Sequence, residues 1–250
     1  MVKPRLLILG GTTDAVKLQS LINTRSDLEV ITSLAGRTRQ PVSQSSRIGG
    51  FGGVPGLIEY LQQEKINFLI DATHPFASQM AWNAFHACLS VGIPRLKLVR
   101  SPWEKVTGDR WIETENNETA AKMLPNLAKR VFLTIGRQEL ATYAKLQEIW
   151  FLMRMIDPPE SNISIPPGKL LLARGPFSLE QERSLLLEHK IEVIVSKNSG
   201  GNATYAKIIA AREMDLPVVM IQRPLLPEGD QVGDVQSAFN WLNLHFLKSR

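Results

Sequence analysis

A chain of 250 residues, 44% hydrophobic and 21% charged, can bury one large core or two small ones, which excludes wholesale disorder. Its net charge of +5 forms no Lys/Arg block and its aromatics are not interleaved with bases, so the excess suits a small anionic ligand or a solvated surface, not nucleic acid. The single cysteine, Cys88, excludes an internal disulfide and fits a reducing compartment, and no apolar stretch approaches the ~20 residues that span a bilayer, so a cytoplasmic protein without a membrane partner is expected.

The first expected strand, residues 5–9, is too short for a signal peptide and runs into Gly10-Gly11-Thr12-Thr13 and a helix over 13–22. Glycine has no Cβ to hold a ligand away, and the first N–H groups of a helix are unpaired. With the helix dipole they favour an anion by roughly 0.3–1 kcal/mol. Gly10, Gly11, Thr12 and Thr13 are therefore candidate contacts for the pyrophosphate of a dinucleotide, the two hydroxyls adding donors. The full G-x-G-x-x-G spacing is absent, and a plain helix cap at Thr12 or Thr13 is the alternative.

After the second expected strand, 29–33, an NAD site usually carries a carboxylate for the ribose 2′-hydroxyl. Here the run is Thr32-Ser33-Leu34-Ala35-Gly36-Arg37-Thr38-Arg39, with no carboxylate. Ser33, Arg37 and Thr38 make a polar, cationic cup, and arginine pairs a 2′-phosphate through two N–H bonds. This favours NADPH, with NADH as the alternative; a surface loop with two arginines is the plainer reading. Next, Arg47-Ile48-Gly49-Gly50-Phe51-Gly52-Gly53 precedes a helix over 55–63. So glycine-rich a loop is expected where backbone approaches a ligand, which makes Gly50 a candidate cofactor contact and Phe51 a surface for a flat ring, or else it is a flexible connector.

The strand at 68–71 ends in Asp71-Ala72-Thr73-His74, ahead of a helix expected to begin at Pro75 and run to 91. Ligands of doubly wound sheets lie outside the carboxyl ends of strands, so Asp71 and Thr73 are candidate cofactor contacts and His74 a candidate proton donor. The alternative is that Asp71 or Thr73 caps the helix and His74 only hydrogen-bonds locally. Cys88, inside the helix, reads as a core residue. A strand at 95–99 and a helix at 118–127 follow.

Val131-Phe132-Leu133-Thr134-Ile135-Gly136 then repeats the pattern of Leu6-Leu7-Ile8-Leu9-Gly10-Gly11, without a close sequence repeat. An α/β protein of two Rossmann-like parallel-sheet domains, residues 1–125 and 126–250, is expected; one continuous sheet is the alternative. Strands at 131–134, 150–153, 170–173, 193–196 and 218–221 alternate with helices at 138–146, 179–189, 203–214 and 234–247. Their polar ends include Arg174, before Gly175-Pro176-Phe177, and the run Ser196-Lys197-Asn198-Ser199-Gly200-Gly201, with Lys207 in the next helix. Arg174, Lys197, Ser199, Gly200, Gly201 and Lys207 form a candidate cradle for carboxylates or phosphates, or a capped loop.

The four histidines show no metal-ligand spacing with Cys88, so no metal is expected. No Walker lysine, no G-x-S-x-G and no Tyr-x-x-x-Lys is present.

Together, Gly10-Gly11-Thr12, Ser33-Leu34-Ala35-Gly36-Arg37-Thr38, Arg47-Ile48-Gly49-Gly50-Phe51-Gly52-Gly53, Asp71-Ala72-Thr73-His74-Pro75, Arg174-Gly175-Pro176-Phe177, Ser196-Lys197-Asn198-Ser199-Gly200-Gly201 and Arg223-Pro224 resemble, in order, the precorrin-6A reductase family of cobalamin biosynthesis. One departure is Arg100-Ser101-Pro102, where the family reads Arg-Pro. The resemblance implies two Rossmann-like domains with a ligand cleft between them and hydride transfer from NADPH to a partly methylated tetrapyrrole rich in carboxylates. Arg174, Lys197, Ser199, Gly200, Gly201 and Lys207 would then face substrate, and His74 or water would supply the proton. An NADPH-dependent reductase of a small carbonyl compound and a non-catalytic dinucleotide-sensing module are the competing readings.

Overall fold

Buried parallel strands read as continuous apolar runs because helices cover both faces of their sheet, and the chain builds two such sheets. The computed structural model describes residues 3–34 and 46–248, so the expectations for Arg37 and Thr38 lie outside the described residues. In chain order the strands are β1 (Arg5–Leu9), β2 (Glu29–Leu34), β3 (Ser46–Ile48), β4 (Phe68–Asp71), β5 (Arg95–Leu98), β6 (Trp111–Thr114), β7 (Arg130–Thr134), β8 (Trp150–Met155), β9 (Gly168–Leu172), β10 (Val193–Lys197), β11 (Val218–Ile221) and β12 (Gln231–Val232). The helices are α1 (Thr13–Ile22), α2 (Gly53–Gln63), α3 (Ser78–Val91), α4 (Asn117–Met123), α5 (Leu140–Tyr143), α6 (Leu179–Glu188), α7 (Ala206–Glu213) and α8 (Val235–Lys248).

The first unit holds the described residues up to Ser101 together with those from Pro224 onward. Its sheet runs β12-β5-β4-β1-β2-β3, all parallel. The two-residue period of a strand divides its side chains between two cores. Leu6, Ile8, Phe68, Ile70 and Leu96 pack with α1 and with Ala238, Trp241 and Leu242 of α8. Leu7, Leu9 and Leu69 face the other way, onto Leu57 and Leu61 of α2 and Ala84, Ala87 and Cys88 of α3. Burial pushes the Cys88 thiol up to about 12, so it behaves as a small apolar side chain and not as a nucleophile.

The second unit, Pro102–Arg223, has the sheet order β6-β11-β10-β7-β8-β9, again parallel. β7 occupies the position that β1 holds in the first sheet, so the repeat of pattern at residues 6–11 and 131–136 is a repeat of architecture. On β8 the buried Arg154 makes a two-pronged ion pair with Glu182 of α6, at 3.0 and 2.8 Å, with its guanidinium between the rings of Phe132 and Phe177.

The expected division after residue 125 is not the one found. The chain leaves the first unit after Ser101, because β6 pairs with β11, and returns at Pro224, because β12 pairs with β5 and α8 packs on α1. Two helices begin later than expected. α3 starts at Ser78, after a turn in which Ala77 N–H donates to His74 O at 2.8 Å, and α7 starts at Ala206. The helix expected over 138–146 is a short 3-10 turn, Arg137–Glu139, followed by the four residues of α5. No helix among the described residues is long and apolar enough to cross a membrane.

Candidate active site

In the first sheet the connections diverge at the carboxyl ends of β1 and β4: β1 leads through α1 to β2 on one side, while β4 and β5 extend the sheet on the other. That divergence is where open α/β sheets take ligands. The two glycines there do different things. A Cβ on Gly10 would lie 3.3 Å from both Thr32 Cγ2 and Leu34 Cδ2, so this glycine lets the turn pack on β2. Gly11 has φ +107° and nothing within 4 Å of an added Cβ, so its backbone faces open space. A side chain there would be strained as well as obstructive.

Thr12 is the N-cap of α1: its Oγ1 accepts from Ala15 N–H at 3.1 Å and donates to Ala72 O at 2.8 Å. Its one hydroxyl proton is therefore used to tie the β1 turn to the end of β4, which corrects the expectation that it donates to a pyrophosphate. Thr13 is exposed at the first helical position, and Asp14 beside it pairs with Arg100 at 3.0 Å.

At the end of β2, Ser33 is buried and its Oγ has no partner among the described residues. Ser33 pairs in register with Arg47 of β3. Arg47 donates from Nη1 to Gly49 O at 2.6 Å and from Nη2 to Gly50 O at 2.9 Å, with its guanidinium 4.0 Å from the Phe51 ring centre. Phe51 in turn meets Tyr60 edge-on at 5.1 Å. The glycine loop is thus clamped rather than a free connector, and one face of Phe51 is covered by Arg47. Gly50 remains exposed.

The end of β4 holds a densely wired group. Asp71 and Lys97 are opposite each other on β4 and β5, 0% and 2% exposed, with Lys97 Nζ 2.9 Å from Asp71 Oδ2. Lys97 also donates to Thr73 Oγ1 at 3.1 Å and Thr73 O at 3.4 Å. Asp71 Oδ1 accepts from Thr73 N–H at 3.0 Å and Oγ1–H at 2.6 Å. Burial lowers the Lys97 ammonium below its usual range, and Asp71 partly offsets this. Asp71 and Thr73 are at the expected place, but their side chains are turned inward and shape the turn. His74 follows, half-buried, with Nδ1 accepting from Phe76 N–H at 3.3 Å. A neutral ring then carries its proton on Nε2.

In the second unit the loop after β10 is held by its neighbours. Lys197 Nζ pairs with Glu139 at 2.6 Å. Arg223 donates to Asn198 O at 2.9 Å and Ser199 O at 3.0 Å. The Asn198 amide accepts from Trp103 N–H at 2.8 Å and donates to Trp103 O at 3.0 Å, while Trp103 Nε1–H donates to Gly201 O at 2.8 Å. The Gly175-Pro176-Phe177 turn folds onto the residues after that loop through Phe177 N–H to Ala203 O at 3.3 Å, and Arg174 before the turn is exposed.

Lys207 departs from expectation. It is 3% exposed, donates to Thr204 O at 3.1 Å and lies 4.9 Å from the Trp103 ring centre, so it is a core residue and not an open anion contact. Burial pushes its ammonium down to about 7, Arg154 acting the same way and Glu182 opposing. Between about 7 and the usual lysine value the unfolded chain binds the proton that the folded one has lost, so this group makes stability rise with pH there. Urea unfolding of wild type and Lys207→Met at pH 7.5 and 8.5 is expected to show a difference that changes by on the order of 1 kcal/mol, in favour of wild type at the higher pH. A pH-independent difference contradicts it.

Lys97, Arg47 and Arg100 join the site without having been singled out in the sequence. Their signal is pairwise: each faces a residue of an adjoining strand or helix, which becomes visible once strands are placed side by side.

A family model described as Precorrin-6x reductase CbiJ/CobK matches residues 5–243. The precorrin-6A reductase of Rhodococcus erythropolis is 46% identical over 242 residues, covering 95% of this chain and 97% of that protein. That of Rhodobacter capsulatus is 42% identical over 243 residues, 96% of each. The cobalt-precorrin-6A reductase of Priestia megaterium is 25% identical over 247 residues, 94% of each. A solved structure of CobK precorrin-6A reductase superposes with a TM-score of 0.89 at 42% identity, covering 97% of both chains.

Proposed function

The chain belongs to the precorrin-6x reductase family, and on that footing we propose that it reduces precorrin-6A with NADPH in the assembly of the corrin ring. The metal-free substrate is favoured over its cobalt form because the relatives named for it are 42% and 46% identical, against 25% for the one named for the cobalt form. The observation that carries the reading is the Gly10–Thr13 turn: an open, positive-φ glycine at the start of a ten-residue helix, placed where the sheet's connections diverge. These residues fit the pyrophosphate of a nicotinamide dinucleotide.

The dinucleotide supplies a hydride, two electrons with one proton, to a carbon of a double-bond system in the macrocycle. The chain itself positions the two reactants and excludes water. The Gly11 turn and the first N–H groups of α1 hold the phosphates. The Asp71–Lys97–Thr73 group makes the β4 end rigid, and half-buried His74 follows it in the chain. His74 Nε2–H is the proposed source of the balancing proton, with water as the other. In the second unit Arg174, Lys197 and the Ser199-Gly200-Gly201 loop are proposed contacts for the substrate's carboxylates.

Anaerobic incubation with NADPH and precorrin-6A tests the whole reading: one NADPH is consumed per macrocycle as its absorbance changes. No turnover with this substrate, alongside turnover of a small carbonyl compound or binding of NADPH without reaction, overturns it.

NADPH preference is proposed from the lack of a carboxylate after β2, together with Ser33 and Arg37. Arg37→Ala is expected to raise the NADPH Kd by roughly tenfold or more while leaving that for NADH within about twofold. Equal losses for both remove the 2′-phosphate role.

A further inference from the structure

The loop after β10 carries two successive glycines in the left-handed region, Gly200 at φ +69° and Gly201 at φ +73°. Glycine enters that region without steric cost and leaves it as freely, so such a loop keeps one shape only when neighbours fix its backbone. Here they do. Arg223 donates to Asn198 O and Ser199 O, and Trp103 Nε1–H donates to Gly201 O at 2.8 Å. Left bare, these carbonyl oxygens would repel a carboxylate; each is instead spent on a donor.

Trp103 comes from far outside the loop, 95 positions before Asn198, and is buried. Its main-chain N–H and C=O engage both halves of the buried Asn198 amide, at 2.8 and 3.0 Å. Its ring centre lies 4.9 Å from the Lys207 ammonium and 5.7 Å from the Tyr205 ring centre, contacts that fix the plane of the indole. Packing at this place asks only for an aromatic ring. The indole N–H is an addition, a single donor, and its partner is the loop.

We infer that Trp103 is a positioning residue for the substrate: through Gly201 O and the Asn198 amide it holds the Ser199-Gly200-Gly201 loop in the shape that receives the macrocycle's carboxylates. This rests on the substrate contacts proposed above. A loop ordered beforehand takes nothing from the binding energy in order to become ordered. The effect therefore falls on affinity for the tetrapyrrole, and not on hydride transfer or on the dinucleotide.

Anaerobic steady-state kinetics with precorrin-6A and NADPH, on wild type, Trp103→Phe, Asn198→Ala and Gly201→Ala, test it. Trp103→Phe keeps a ring and loses the donor. It is expected to raise the precorrin-6A KM roughly 5- to 20-fold, with kcat and the NADPH KM within about twofold of wild type. Asn198→Ala releases the other end of the clamp and reads the same way should the phenylalanine variant not fold. Gly201→Ala strains the loop directly, since an L side chain is costly at that φ, and so examines the reading beneath the inference. An unchanged precorrin-6A KM in Gly201→Ala overturns the assignment of this loop to substrate, and the inference with it. A raised KM there beside an unchanged KM in Trp103→Phe overturns the inference alone. So does a Trp103→Phe loss that falls equally on kcat or on NADPH, because Trp103 would then support the fold at large and not the substrate loop.

Discussion

Lys97→Met is expected to lower the unfolding free energy of the first unit by about 3 kcal/mol, at the lower end of the ~3–5 kcal/mol that breaking a buried ion pair costs. An exposed pair would cost at most ~1 kcal/mol, but Lys97 and Asp71 are 3% and 0% exposed at their side chains. Methionine fills the same volume and so leaves no cavity. What it leaves is a buried carboxylate whose Oδ2 has lost its cation. Two hydrogen bonds from Thr73 to Oδ1 remain, at 3.0 and 2.6 Å, and they hold the loss below the upper end of that range. The effect is read from urea unfolding by tryptophan fluorescence, which reports on this unit through Trp82 and Trp241. Lys97→Met/Asp71→Asn removes the charge from both sides and is expected to recover most of the loss. A single-variant loss under about 1 kcal/mol shows that the pair is not isolated from solvent in the way its burial implies.

Lys97 also shows what a single sequence conceals. Arg95-Leu96-Lys97-Leu98 alternates charge and apolar residue, the pattern of a half-solvated strand. Yet β5 lies inside the sheet, and the lysine is buried because Asp71 stands opposite it on β4. That partnership is a fact of strand order, which local pattern does not carry. The inner strands were legible for the opposite reason: β1, β4 and β11 are buried on both sides, and their runs have no other stable use.

The strands not anticipated, β3, β6 and β12, all lie at sheet edges and have three, four and two residues. Such segments extend only because an inner strand offers them hydrogen bonds. The division of the chain was hidden likewise, since Ala238, Trp241 and Leu242 of α8 read as an amphipathic helix wherever it docks, and their partners lie on α1 and the first sheet, far back in the sequence. At the candidate site, the shape of the Gly10–Thr13 turn was visible because it is local to one strand, one turn and one helix. The roles of Thr12 and Lys207 were not, because each is set by a contact or a burial outside its own segment.

Thr13→Glu is expected to separate binding from stability at that turn. Thr13 is exposed at the first position of α1, so a glutamate there has room and sits at the positive end of the helix dipole. By itself that is worth about 0.3–1 kcal/mol of added stability, reduced by the neighbouring Asp14 carboxylate, so unfolding in urea is expected to be unchanged or slightly later. Cofactor affinity moves the other way. A carboxylate about 5 Å from one phosphate charge repels it by roughly 3 kcal/mol at an effective dielectric constant near 20, which is about 100-fold in Kd. NADPH and NADH should lose equally, and the loss should shrink as salt is raised from about 0.05 to 0.5 M, because the group is exposed to solvent. Thr13→Gln carries the same bulk without charge and is expected to weaken binding by no more than about threefold, the scale of one exposed hydrogen bond. A glutamate variant that binds both dinucleotides as tightly as wild type places the pyrophosphate somewhere other than the start of α1. If the glutamine variant is as weak as the glutamate one, size and not charge governs the turn.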